Sequence, residues 1–165
     1  MASQWLFLEL NAPPAKLNNP FSPGQSIYFV STSYDSEPDP SLHRDYSSFN
    51  LVNGKDILLH ISIRRGEGRI VFDTKRDDTW DDKLQVIDLK GVFSGPGAII
   101  KVDVNATSYD VSFNNSPTIH TFPKRINANA TAVSYEAVEQ IRVFSDPVVA
   151  EVFDNGVFIS PSISS

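Results

Sequence analysis

The sequence predicts an all-β domain, two antiparallel sheets packed face to face as a sandwich. Three observations predict it. Short runs rich in Val, Ile, Phe and Tyr recur along the chain, many of them alternating with polar residues. Clusters of Pro, Gly, Asn, Asp and Ser divide these runs at short intervals. With some ten short strands in 165 residues and no helices to cover a sheet, apolar faces must be buried against a second sheet. A closed barrel is the alternative.

The strands are expected near 4–10, 26–33, 47–53, 56–64, 69–75, 84–89, 98–104, 108–113, 117–122, 131–135 and 147–154. The first holds "WLFL", and Trp5 is expected in the core. "NAPPAKLNNPFSPG" (11–24) and "DSEPDPSLHRD" (35–45) read as connections because Pro, Asn and Asp crowd them. "NG" at 53–54, "GEG" at 66–68, "SGPG" at 94–97, "NNSP" at 114–117 and "NGV" near 155 read as turns. Only "YEAVEQI" at 135–141 has helical colour, enough for one or two turns at most. The tail "SPSISS" is polar and expected to fray. No internal repeat appears, so the organisation is one domain over 1–165.

Composition narrows the function classes. With 41% hydrophobic and 21% charged residues the chain reads as soluble and globular. The net charge of −6 argues against a nucleic-acid partner, which asks for a basic face. No apolar run approaches the roughly 20 residues that span a membrane. "WLFL" is followed at once by Glu9 and preceded by no Lys or Arg, unlike a signal peptide. The expected location is therefore the cytosol, with non-classical export to the extracellular space or cell wall as the alternative. Cysteine is absent, which removes disulfides and thiol chemistry. Sequons at Asn105, Asn114 and Asn129 read as chance without a secretory signal.

The segment 57–75 carries the chemistry. Side chains alternate across a strand, so Ile57, Leu59, Ile61 and Ile63 form a core face. Leu58, His60, Ser62 and Arg64 then take the other face. On the return strand Ile70 and Phe72 point inward and Arg69, Val71 and Asp73 outward. A four-residue connection, Arg65 to Gly68, keeps both core faces on one side. It sets Arg64 opposite Arg69, Ser62 opposite Val71 and His60 opposite Asp73. His60, Ser62, Arg64 and Asp73 thus share one outward patch.

The next loop, "RDDTWDDK" (76–83), sets Trp80 among four aspartates, where burial would drag charge into low dielectric. An exposed indole beside hydrogen-bonding groups suits a sugar, its face covering C–H bonds while the polar groups read hydroxyls. The bland reading of His60 is a solvated residue on a polar face, and that of the aspartates a solvated turn.

"FNL" (49–51), "ILLHISIR" (57–64), "IVF" (70–72) and Trp80 together resemble the galectins, especially those of mushrooms. "SYDVSF" (108–113), "FPKRI" (122–126), "SYEA" and "VFSDPV" follow in the order of that fungal group. The resemblance implies a jelly-roll-like, concanavalin A-like sandwich, no metal or other cofactor, and no enzymatic activity. It also implies a shallow groove for β-galactosides, and homodimers or homotetramers that cross-link glycans. His60 and Arg64 stand where the family grips galactose hydroxyls, and Trp80 where it stacks on the ring. Ser62 replaces the Asn of animal members. Asp73 replaces an Asn, and Lys83 and Gln85 replace a Glu and an Arg. The expected carbohydrate-binding residues are His60, Ser62, Arg64, Asp73, Trp80, Lys83 and Gln85. Asp73, or Asp81 or Asp82, is expected to replace the lost counter-charge for Arg64. These departures point to altered specificity, toward N-acetylated sugars or chito-oligosaccharides, or to reduced sugar affinity. Lys83→Glu with Gln85→Arg is then expected to raise affinity for lactose.

Rival functions find less support. A glycosidase needs paired carboxylates across a cleft, whereas most aspartates here lie in one turn. Ser62 and His60 leave one strand side by side, and there is no G-x-S-x-G elbow for a hydrolase. His43, His60 and His120 lack metal-ligand spacing. A protein-interaction role for the same sandwich, with the groove idle, is the second rival.

Overall fold

The computed structural model describes residues 2–32, 35, 37–42, 44–93, 97–114, 116–138 and 148–154. Its strands are β1 (Gln4–Leu8), β2 (Ala15–Phe21), β3 (Ser26–Ser31), β4 (Tyr46–Asn53), β5 (Asp56–Arg64), β6 (Arg69–Arg76) and β7 (Thr79–Trp80). Then come β8 (Gln85–Asp88), β9 (Ala98–Val104), β10 (Ser108–Phe113), β11 (Ile119–Pro123), β12 (Ala130–Val138) and β13 (Val148–Phe153). One 3₁₀ turn spans Pro40–Leu42. No helix among the described residues is long and apolar enough to cross a membrane.

Two antiparallel sheets result. One runs β1-β13-β3-β9-β10-β11; the other runs β2-β12-β4-β5-β6-β7, with β8 also paired to β6. Their facing surfaces are joined by aromatic rings. Phe29 of β3 meets Phe49 of β4 at 5.5 Å between centroids, and Phe72 of β6 meets Phe113 of β10 at 6.5 Å. Strands β9 and β10 alternate strictly between buried and partly exposed, as expected of a sheet with one wet face. Strands β4, β5 and β6 do not: nearly every residue is buried on both faces. The outer face of the second sheet is thus shielded by side chains packed on it, Tyr46, Arg64 and Trp80 among them, and the site lies there.

Local chemistry explains most elements. Gly54 takes φ 58° in the two-residue turn between Asn53 and Asp56, where glycine is the favoured residue. Asp77 (φ 56°) does the same between Arg76 and Thr79, and its N–H donates to the Asp56 carboxylate at 2.8 Å. The Arg64–Arg69, Ser62–Val71 and His60–Asp73 pairs form as the four-residue connection requires.

Several expectations are corrected. Residues 15–21, read as connection, form edge strand β2; only Leu17 and Phe21 are buried there, so the apolar signal is thin. Pro20 is tolerated because an edge strand needs fewer ladder donors. Tyr135–Val138, given helical colour, continue β12 in register with β4 from Phe49 to Tyr46, and pairing overrides propensity. Residues 139–141 of that segment, like His43, Asn115, the turn near 155 and the tail, lie outside the described residues. Trp5 is 50% exposed rather than core, and Phe7 71%, because Leu6 and Leu8 take the inward positions of β1. Leu58 is an extra residue in β5, a bulge against both neighbours. It joins the core, and Ile57 is left half-buried, the reverse of strict alternation.

A buried cation ties down Asp35, Glu37, Asp39 and Asp45. Arg65, 2% exposed, donates to Asp45 Oδ2 at 2.9 Å, to Asp35 Oδ2 at 3.1 Å and to the Glu37 carbonyl at 3.1 Å. Its backbone carbonyl accepts from the Asp39 N–H and its N–H donates to the Asp45 carbonyl. Asp35, Glu37, Asp39 and Asp45 are thereby held against the β5–β6 turn, close to Arg44 and Tyr46 at the edge of that face.

Candidate functional site

Register places the site's residues in rows across the sheet. Ser134 of β12, Asn50 of β4, His60 of β5 and Asp73 of β6 are direct neighbours in one row. Glu136, Ser48, Ser62 and Val71 form the next. Tyr46, Arg64 and Arg69 follow. These rows floor a groove of about 410 Å³, within the ~300–1,000 Å³ typical of small-ligand sites. Trp80, Asp82 and Leu84 line it on one side, Arg44 and Tyr46 on the other. Of the expected patch, His60, Ser62, Arg64, Asp73 and Trp80 all reach this groove. His60, Ser62 and Asp73 lie deeper than a solvated face would put them, being buried.

The first row is hydrogen-bonded along its length. Asn50 Nδ2 donates to Ser134 Oγ at 3.0 Å, which leaves Asn50 Oδ1 2.6 Å from His60 Nδ1. An amide oxygen only accepts, so Nδ1 carries the ring proton and Nε2 is left as an acceptor. Burial, reinforced by the Arg64 and Lys75 charges, pushes the His60 pKa down to about 3. The ring is therefore neutral at physiological pH. It packs against Trp80, with centroids 4.5 Å apart, while Lys75 Nζ lies 5.4 Å from the indole centroid.

Arg64 is held from three sides. Its guanidinium lies 4.4 Å from the Tyr46 ring centroid, its Nε donates to Ser62 Oγ at 3.2 Å, and Glu67 stands 3.9 Å away. Glu67 also takes Arg69 at 2.6 Å, which accounts for two arginines facing each other across the hairpin. Burial raises the Glu67 carboxyl, but hydrogen bonds from Tyr46 and Arg69 and the two arginine charges outweigh it and lower its pKa.

The counter-charges differ from expectation. Asp73 does not serve Arg64; its Oδ1 accepts from Arg125 Nη1 at 2.8 Å and from the Thr74 N–H at 2.8 Å. Asp81 pairs with Arg76 at 3.1 Å and with Arg125 at 3.5 Å. Lys83 is exposed and meets Arg125 through its backbone carbonyl. Gln85 turns away from the groove: its Oε1 is bonded to His120 Nε2 of β11 at 2.7 Å. His120 in turn stacks on Phe72, centroids 4.0 Å apart. Lys83 and Gln85 thus stand outside the groove lining.

Sequence reasoning missed Asn50, Ser134, Tyr46 and Arg125. "FPKRI" stands out in the sequence, but nothing in its spacing assigns Arg125 to Asp73. What remains chemically is a neutral acceptor (His60), a carboxylate acceptor (Asp73), a guanidinium donor (Arg64) and an indole wall. Ser62 Oγ accepts from Arg64 Nε and His60 Nδ1 faces Asn50 Oδ1, so each of these strand neighbours is engaged with another residue.

The profile of the family described as "Galactoside-binding lectin" matches residues 13–148. The chain belongs to the galactoside-binding lectin family. Galectin-2 of Coprinopsis cinerea is 32% identical to this lectin over 139 residues, 83% of this chain and 86% of that one. Galectin-1 of the same mushroom is 37% identical over 106 residues, 63% and 68% of the two chains. Among solved structures, Caenorhabditis elegans galectin LEC-6 superposes with a TM-score of 0.67 at 16% identity, covering 90% of this lectin and 95% of that chain. A toad ovary galectin in complex with N-acetylgalactose gives 0.61 at 16% identity, covering 88% and 100%. The lectin is fungal-galectin-like in sequence and a galectin β-sandwich in fold. Its family binds carbohydrate and is not one of enzymes.

Proposed function

We propose that this lectin uses the groove to bind short glycans, favouring N-acetylated sugars or chito-oligosaccharides over plain β-galactosides. The observation behind this reading is the row His60–Asp73. Both side chains offer acceptors there, His60 through Nε2 and Asp73 through a carboxylate in the place where an Asn is expected. A ligand in that row must bring donors, and an acetamido N–H beside a hydroxyl supplies them. Replacing Asn by Asp also removes a protein donor, which weakens the hold on any sugar oxygen that needed one by about 0.5–1.5 kcal/mol, the worth of a neutral hydrogen bond. The toad galectin solved with N-acetylgalactose indicates that the fold admits an acetamido group.

The test is a glycan array followed by calorimetric titration with lactose and chitotriose, for the parent and Trp80→Ala. Chitotriose is expected to bind about tenfold or more tighter than lactose, and Trp80→Ala to lose roughly tenfold on both. Preferential lactose binding would overturn the specificity. Absence of any glycan binding would leave the protein-interaction rival in possession.

We also propose that the lectin works as a homo-oligomer. Among the described residues β1 pairs with β13 alone and presents Trp5 and Phe7 outward, an apolar edge that suits a second copy. Light scattering on Phe7→Lys is expected to show a smaller particle than the parent; a monomeric parent would sink the idea.

A further inference from the structure

We propose that Arg125 is a positioning residue that sets the specificity of this groove, acting through the Asp73 carboxylate and the loop that carries Trp80. The proposal rests on the groove being the glycan site.

Arg125 belongs to the connection after β11, at the edge of one sheet, and reaches the other. Its guanidinium lies 4.7 Å from the Phe122 ring centroid and donates to Asp73 Oδ1 at 2.8 Å. Asp73 is 2% exposed, so its charge needs a fixed partner or must leave the floor. Because Oδ1 is already taken by Arg125 and the Thr74 N–H, Oδ2 is the atom left to a ligand in the groove. Arg125 therefore decides which carboxylate oxygen a sugar meets, and that it meets an acceptor.

The same residue, through its side chain and its backbone carbonyl, ties down the loop that follows β6. Arg125 Nη2 donates to the Lys83 carbonyl, the Arg125 carbonyl accepts from Arg76 Nη2 at 2.8 Å, and Arg76 Nε donates to Asp81 at 3.1 Å. Trp80 and Asp82 belong to the segment between Arg76 and Lys83 that these bonds bridge, and both line the groove. One planar fork thus holds both the floor acceptor and the indole wall, which a lysine's point charge cannot do.

The experiment compares the parent, Arg125→Ala, Arg125→Lys and Asp73→Asn/Arg125→Ala. Each is titrated with chitotriose and lactose, and amide exchange at 79–84 is followed without ligand. Arg125→Ala is expected to bind the preferred sugar at least tenfold more weakly and to exchange these amides at least tenfold faster. Arg125→Lys is expected to fall between and to serve if the alanine variant folds poorly. Adding Asp73→Asn is expected to recover part of the amide protection, since no buried carboxylate then lacks its cation, and to shift the chitotriose-to-lactose preference toward lactose. Binding within twofold of the parent in Arg125→Ala would overturn the proposal, whatever its thermal midpoint. If the parent binds neither sugar, the glycan reading fails first. Exchange at 79–84 then decides alone, and parent-like protection in Arg125→Ala would reject the positioning role.

Discussion

His60 Nδ1 sits 2.6 Å from Asn50 Oδ1, and that contact fixes which ring nitrogen is free for the groove. Asn50→Ala removes it and leaves a buried donor unpaired, at about 1–3 kcal/mol. The expected result is loss of the single Nδ1–H tautomer in nitrogen NMR, and about tenfold weaker glycan binding. Retention of that tautomer in the variant would mean that something other than Asn50 selects it.

Stability depends on pH through the same ring. His60 is held neutral in the fold, with its pKa lowered from 6.5 to about 3, so the unfolded chain binds a proton first as pH falls. Its contribution is complete above about pH 6.5 and is lost progressively down to about pH 3, at up to ~1.4 kcal/mol per pH unit. Urea unfolding at pH 7 and pH 5 is expected to show a drop about 2 kcal/mol larger for the parent than for His60→Gln. Equal drops would place the titration elsewhere.

Arg65 holds Asp35, Glu37, Asp39 and Asp45, close to the Arg44 and Tyr46 side of the groove. Arg65→Ala leaves the Asp45 carboxylate, fully buried, without its 2.9 Å partner. Such a change is expected to cost about 3–5 kcal/mol in chemical denaturation. A loss under about 1 kcal/mol, the range of an exposed pair, would show that solvent reaches Asp45.

Lys83→Glu with Gln85→Arg no longer promises a better lactose site. Gln85 holds His120 at 2.7 Å beside Phe72, and Arg125 already occupies Asp73. An arginine in place of Gln85 breaks the first contact, and it leaves from the face turned away from the groove. The expected outcome is an unfolding free energy lower by about 1–3 kcal/mol in urea, with no gain in lactose affinity by titration. A clear gain would show that a side chain from position 85 reaches the groove.

The hairpin between β5 and β6 was legible because a turn of four residues and a two-residue side-chain period leave one acceptable register. His60, Ser62, Arg64 and Asp73 follow from it. The next strand was not legible. The two-residue turn at Gly54 would set His60 opposite Phe49, a core residue; the bulge at Leu58 shifts the pairing by one and brings Asn50 there instead. Nothing in "DILLHIS" marks which leucine is extra. Trp5 escapes sequence reasoning for a related reason: in "WLFL" both faces are apolar, so alternation cannot say which one is buried.

By itself the sequence determined the sandwich, the hairpin register and the identity of the polar face, since each follows from short-range periodicity and turn chemistry. Only the tertiary structure decided that this face is a covered groove, that His60 answers to Asn50, and that Arg125 rather than Arg64 meets Asp73. These are contacts between residues far apart in the chain, made where two sheets and their loops converge. Spacing along a strand carries no record of which distant charge will arrive beside a buried carboxylate.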